Sequence, residues 1–137
     1  MTNILEVRNI HTYIGQFHIL EGVDVEVPQG GIVALLGRNG AGKTTTLKSI
    51  LGLTPPRSGE VIFDDQPIQG RRSYEIASLG IGFVPEDRGI FRDLSVLENL
   101  KIAERKKGDL DRKSDFIFEL FPDLKRLIKL PLSLIHI

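Results

Sequence analysis

The run Gly37-Arg38-Asn39-Gly40-Ala41-Gly42-Lys43-Thr44 constrains this chain more than any other feature, because it is a complete GxxxxGK[ST] loop. Such a loop curls its backbone around phosphate groups with the N–H groups pointing inward, in conformations that a Cβ would obstruct, and glycine meets that need. Lys43 adds a point charge toward the β- and γ-phosphates, and the Thr44 hydroxyl is placed to ligate Mg²⁺. The motif carries meaning only between a buried strand and a helix. Ile32-Val33-Ala34-Leu35-Leu36 is the continuous apolar run of a parallel strand covered on both faces, and Leu47, Ile50 and Leu51 recur at helical spacing over Thr45 to Leu53. The helix N-terminus then brings its unpaired N–H groups and positive dipole end to the same place. A glycine-rich turn between strand and helix can also be plain tight packing. Lys43-Thr44 at the right offset, with both flanks correct, argues against that alternative.

Around the loop, the pattern alternates between strands and helices. Leu5, Val7 and Ile10 alternate with polar neighbours, as do Val23, Val25 and Val27, which predicts two half-buried strands ahead of the loop. Pro28-Gln29-Gly30-Gly31 turns the chain into the apolar strand. After the loop helix, the turn cluster Thr54 to Gly59 leads to a strand over Glu60 to Asp64. A short helix around Ser73 to Leu79 stops at Gly80, and Ile81-Gly82-Phe83-Val84 reads as a further strand closed by Pro85. Ser95 and Glu98 have capping-box spacing at the head of a helix continued by Val96, Leu97, Leu100 and Ala103. A last helix from about Asp111 carries Phe116, Ile117, Leu120, Phe121 and Leu124 as one apolar stripe.

Length and charge then exclude several classes. With 137 residues and 41% hydrophobic composition, the chain can build one core, yet it is short for a complete enzyme of this motif class. A formal net charge of zero creates no overall field toward nucleic acid or an anionic membrane. The basic runs Lys101 to Lys107 and Lys125 to Lys129 are interrupted by acids and read as solvated helix faces. The absence of cysteine rules out disulfides and thiolate metal sites and fits a reducing compartment. No apolar run approaches the roughly 20 residues of a membrane span, and the N-terminus has no signal-peptide pattern. A cytoplasmic location is expected, with any membrane association arising through a partner.

Taken together, the order of parts resembles the first half of an ATP-binding subunit of an ABC transporter. The residues that carry the likeness are the loop, Ser58-Gly59-Glu60-Val61, Val84-Pro85-Glu86 and Leu94-Ser95-Val96-Leu97-Glu98-Asn99-Leu100. The resemblance implies an α/β fold of the P-loop NTPase type, the ABC nucleotide-binding domain, with an antiparallel β-subdomain, a RecA-like core and the start of a helical subdomain. It implies ATP and Mg²⁺ as ligands, with Gly37, Arg38, Asn39, Gly40, Ala41, Gly42, Lys43, Thr44 and Thr45 around the phosphates. Lys43 and Glu86 take catalytic positions, and Thr44 and Glu86 lie toward the metal. Glu86 stands where the family usually has the glutamine of the Q-loop. The run Val84-Pro85-Glu86-Asp87-Arg88-Gly89-Ile90-Phe91, with His11-Thr12-Tyr13-Ile14-Gly15-Gln16 and Glu119-Leu120-Phe121-Pro122-Asp123-Leu124, is similar to ATP-binding subunits of branched-chain amino acid importers; urea importers and other relatives use similar sequences. The partners implied are a second ATP-binding subunit, transmembrane permeases that hold the subunit at the inner face of the membrane, and, indirectly, a substrate-binding protein. Nucleic acid is not among them.

Two departures from the family pattern stand out. The residue before Gly15, which in the family stacks an aromatic ring on adenine, is Ile14, with Tyr13 one place earlier. A strand neighbour points to the opposite face, so Tyr13 stacks on a base only where the loop is irregular; otherwise it is a half-buried strand aromatic. The second departure is that the LSGGQ-type signature, the acidic pair that follows it and the switch histidine are not found in these residues. Residues 1–130 are expected to be the N-terminal part of the domain, and 131–137 a non-family tail from truncation or a frame-shift. On that reading the chain alone is inactive in hydrolysis, and His136 is not the switch histidine. His11 and His18 show no acid-base partner in the sequence. A GTPase switch is disfavoured because NKxD and DxxG are absent, and a non-transport ABC ATPase is disfavoured by Glu86.

Overall fold

The computed structural model describes residues 2–87 and 89–135, in two compact units that meet in sequence between Gly82 and Phe83. Arg88 and His136, both named above, lie outside the described residues.

The first unit is built on an antiparallel sheet. Strands β1 (Asn3–Ile14), β2 (Phe17–Pro28), β3 (Ser58–Phe63) and β4 (Gln66–Pro67) lie in the order β2-β1-β3-β4. The two strands expected ahead of the loop form the β1–β2 hairpin, and they run on to its tip, well beyond the segments with clear alternation. Val7 and Ile10 are three residues apart, yet both are buried, so the strand must gain a residue between them. It does so at a register shift beside Asn9, whose φ is 47° and whose amide donates to Asp24 Oδ1 at 2.7 Å. Asp64 and Asp65 both have positive φ and form the tight connection from β3 to β4, as hairpin twist demands.

Helices α1 (Lys43–Ile50) and α2 (Ser73–Ser78) complete this unit's core. Val7, Ile10, Leu20 and Val61 from the sheet pack with Ile50, Ile68 and Ile76. Each such side chain contributes about 1.5–3 kcal/mol when fully buried. Gly80, at φ 110°, follows the last turn of α2 as the expected left-handed stop.

Two expected strands are not formed. Ile32 to Leu36 and Ile81 to Val84 have no regular structure, and Ile32, Leu36 and Val84 are almost wholly exposed at 99%, 87% and 93%. The apolar pattern of both segments is that of parallel strands, and a parallel strand exists only between neighbours that accept its N–H groups and cover its two faces. The described residues supply no such neighbours, because the single sheet is antiparallel and ends at β2 and β4.

The second unit is helical: α3 (Val96–Ile102), α4 (Asp109–Leu120), α5 (Pro122–Arg126) and a 3₁₀ turn at Leu132–Leu134. The capping box at α3 is made as expected. Glu98 N–H donates to Ser95 Oγ at 3.1 Å, and Ser95 N–H donates to the Glu98 carboxylate at 2.8 Å. Asn99 ties the preceding loop down by accepting from Phe91 N–H and donating to Phe91 O, both at 2.9 Å. The expected apolar stripe is divided, because Pro122 forces Phe121 out of the helical region (φ −131°, ψ 75°) and α5 starts afresh. Phe116, Leu120 and Phe121 stay more than half exposed. Residues 128–133 pair through backbone hydrogen bonds with 92–97, so Pro131 to Ser133 are part of this unit's packing.

Two outcomes follow. With so many apolar side chains uncovered, the 137-residue protein is expected to self-associate, so that light scattering reports species larger than a monomer; a monodisperse monomer with a cooperative melt contradicts this. In the second unit, hydrogen bonds from Ser95 hold the Glu98 carboxyl below its ordinary value, as those from Lys106 and then Arg112 do for Asp109. A depressed carboxylate contributes stability above its unfolded pKa and loses it as pH falls through the lower folded one. Helical circular dichroism should therefore fall below the ordinary carboxylate range, and Glu98→Gln should already lack part of that acid-sensitive signal at neutral pH.

Candidate functional site

The loop Gly37 to Thr44 is assembled from its helical end. Gly42 is the N-cap of α1 at φ 99°, a left-handed conformation that a side chain would resist. It is also buried against β2: a Cβ there would come within 2.8 Å of the Leu20 side chain and 3.7 Å of Ile19 O. Glycine is thus needed twice over at this position, for the turn and for the approach of the sheet.

One buried hydrogen bond seats the helix. Thr12 Oγ1 on β1 and Ser49 Oγ on α1 are 2.9 Å apart, and both residues are buried. Within α1, Thr46 Oγ1 donates back to Gly42 O at 2.8 Å. The Lys43 ammonium folds over the loop, donating to Gly37 O and, at 3.0 Å, to Arg38 O. Thr44 is exposed and Thr45 is half-buried, while Arg38, Asn39, Gly40 and Ala41 face solvent. No side chain caps α1, so its first-turn N–H groups stay free of a capping partner.

This donor set suits a polyphosphate. It combines an ammonium group, the open amide end of a helix and a loop whose Gly40 has open space where a side chain would stand. Among the described residues no group of three or more His, Asp or Glu is gathered to hold a metal ion. The Thr44 hydroxyl, exposed at the head of α1, is the loop oxygen that would hold a Mg²⁺ ion entering with a nucleotide.

The remaining sequence candidates are placed differently. Glu86 is exposed in a turn of the second unit, whereas the loop belongs to the first. Tyr13 is half-buried on β1 with both faces of its ring occupied. The His18 ring stacks at 4.2 Å between centroids, and the Arg57 guanidinium carbon lies 3.6 Å from the Tyr13 centroid. His11 and His18, unpartnered in the sequence reading, face each other with Nδ1 and Nε2 3.0 Å apart. Sequence reasoning passed over Phe17, which the hairpin sets directly opposite Ile14. The signal for it was an aromatic two residues after Gly15, within reach of any hairpin that turns there.

Comparison with known proteins agrees with this geometry. Residues 20–129 match the family model described as "ABC transporter", from the second strand through the helices. The chain belongs to the ABC transporter family. "Nod factor export ATP-binding protein I" of Cupriavidus metallidurans is 43% identical over 108 residues, which is 79% of this chain and 35% of that protein. "High-affinity branched-chain amino acid transport ATP-binding protein BraG" of Pseudomonas aeruginosa is 38% identical over 124 residues, 89% of this chain and 53% of the relative. The crystal structure of an ABC transporter's ATP-binding cassette in its ADP conformation superposes with a TM-score of 0.79 at 26% identity, covering 99% of this chain and 60% of that one. The fold is that of the ABC nucleotide-binding domain. The chain spans about a third to a half of the length of these curated relatives. No helix among the described residues is long and apolar enough to cross a membrane.

The seating of α1 can be tested directly. Ser49→Ala should strand the buried Thr12 hydroxyl and cost about 1–3 kcal/mol in denaturant unfolding, while adding Thr12→Val should recover part of the loss.

Proposed function

We propose that these residues form the nucleotide-gripping part of an ATP-binding subunit that energises an ABC importer, with branched-chain amino acids as the favoured cargo. The observation that carries the reading is the loop itself: Lys43 folded over a glycine-lined turn at the open amide end of α1, in a chain of this family. In this reading the loop amides and the first turn of α1 hold the phosphates, Lys43 exchanges its carbonyl partners for the β- and γ-phosphates, and Thr44 gives one oxygen to Mg²⁺. Bound Mg²⁺ supplies neutralisation of phosphate charge. Glu86 stands at the Q-loop position of the family's sequence pattern, and Gly37 to Thr45 surround the nucleotide.

The cargo assignment rests on Val84-Pro85-Glu86 and on the likeness to the branched-chain amino acid relative over 89% of the chain. The greater identity to a relative named for Nod factor export keeps a second reading in play, in which a related transporter with another cargo uses the same loop. Either way the working assembly is a pair of ATP-binding subunits on membrane permeases, at the inner face of the membrane, with a substrate-binding protein serving the importer. Hydrolysis needs an acidic pair and a signature sequence that these 137 residues do not contain.

The test is a fluorescent-ATP titration. Lys43→Ala should weaken binding roughly tenfold or more, the worth of a charge-assisted contact, with the fold unchanged by circular dichroism. Equal affinity in the variant rejects the phosphate-loop assignment. The 137 residues alone should show binding without turnover, and Lys43-dependent steady ATP hydrolysis by them contradicts that part of the proposal.

A further inference from the structure

We infer that Asn39 is a site of covalent self-modification: when no ligand covers the loop, its side-chain amide is lost through attack by the backbone nitrogen of Gly40, and bound phosphates hold the reaction off. The modification stands on the loop alone, and the protection rests on the nucleotide-binding reading above.

The residue after an asparagine decides how easily its side chain is attacked. A Cβ there crowds the backbone nitrogen, and glycine removes the crowding. Asn39 is the one asparagine of this chain followed by glycine; Asn3, Asn9 and Asn99 precede Ile4, Ile10 and Leu100. Local structure sharpens the contrast. The Asn99 amide is tied to Phe91 through its oxygen and its nitrogen, at 2.9 Å each, and Asn9 Oδ1 lies 3.2 Å from His11 Nε2. Asn39 and Gly40 are instead the central residues of a turn closed by Ala41 N–H donating to Arg38 O at 3.0 Å, and both are exposed. Among the described residues neither the Asn39 amide nor the Gly40 N–H has a hydrogen-bond partner. Gly40 has a φ of 84°, and beyond its chain neighbours no heavy atom comes within 4 Å of the place a Cβ would take.

The step balances in atoms and charge. Gly40 N gives its proton to solvent base and bonds to Asn39 Cγ; the bond from Cγ to the side-chain nitrogen breaks, and that nitrogen takes up a proton and leaves as ammonia. The cyclic succinimide that results is opened by water at either carbonyl, giving aspartate or isoaspartate. Attack between adjacent residues has the advantage of proximity. Its intermediates are anionic, and this loop favours anions: the Lys43 ammonium reaches Arg38 O at 3.0 Å, one residue away, and the uncapped amide end of α1 follows Gly42. The features that suit the loop to phosphate thus ease the loss of its own asparagine. Either product sets a carboxylate where a neutral amide stood, which repels phosphate, and isoaspartate also lengthens the turn by a backbone carbon. Phosphates held on the loop amides fix the Gly40 nitrogen and neutralise the positive field, so a liganded loop keeps its asparagine.

Peptide mapping by mass spectrometry follows each asparagine while the protein is held in mildly alkaline buffer, with and without Mg·ATP. The Asn39 amide should be lost severalfold faster than those of Asn3, Asn9 and Asn99, with isoaspartate among the products. Saturating Mg·ATP should slow that loss severalfold, and Gly40→Ala, which crowds the attacking nitrogen, should slow it without any ligand. Asn39→Asp, which carries the charge of one product, should weaken ATP on the order of tenfold in titration, with circular dichroism unchanged. Loss at Asn39 no faster than at the other asparagines overturns the inference, and so does equal loss in Gly40→Ala. ATP that binds without slowing the loss overturns the protection and leaves the nucleotide-binding reading standing, as does an Asn39→Asp protein of unchanged ATP affinity for the cost to binding. A protein that binds no ATP and still loses the Asn39 amide first rejects the nucleotide-binding reading, and the protection with it, while the modification stands.

Discussion

The packing of α1 on the hairpin is the constraint from which the rest of the first unit follows. Two contacts fix it: the buried hydroxyl pair Thr12 and Ser49 toward the end of the helix, and the close approach of Gly42 to Leu20 at its start. Held at both ends, the helix has one position on the sheet, and the direction in which its free amides point is set by strands that lie far away in sequence. Ile50 and Ile76 then close the core over Val7, Ile10 and Val61. The antiparallel sheet is thus the base on which the glycine loop is oriented, and the loop inherits its geometry from it.

Much of this was legible from the sequence, and the reason differs from element to element. The capping box at Ser95 and Glu98, the stop at Gly80 and the left-handed turn at Gly42 are local chemistry, decided within four residues, and each is where the spacing put it. Ile32 to Leu36 and Ile81 to Val84 were misjudged as formed strands because an apolar run records the environment a segment is suited to, and pairing depends on what lies beside it. The division of the Phe116 to Leu124 stripe came from Pro122, whose effect on the residue before it outweighed the periodicity.

The hairpin tip was the least legible part. Alternation at Val23, Val25 and Val27 gave a face for each side chain there, but nothing in the residues around Ile19 announces that the register changes. A single unpaired residue then reverses which of Phe17 and His18 shares the face of Leu20. The Tyr13, His18 and Arg57 stack is the other side of the same event, since cross-strand neighbours meet only after the shift. Ring stacking on one face of the hairpin and ring exposure on the other have a common origin.

The loop is anchored at one end only. Its helical end is clamped on the sheet, while the five residues before it, Ile32 to Leu36, are exposed and lie in no strand. Fixing five residues of backbone carries an entropic cost on the order of 5–10 kcal/mol, which a ligand that needs the loop still must overcome. A segment that pairs with Ile32 to Leu36 meets that cost in advance, so strand pairing and affinity at the loop are linked, and by reciprocity a ligand in the loop strengthens the pairing by the same amount. The glycine turn thereby works as a cantilever, whose stiffness is set by whatever lies along its free arm.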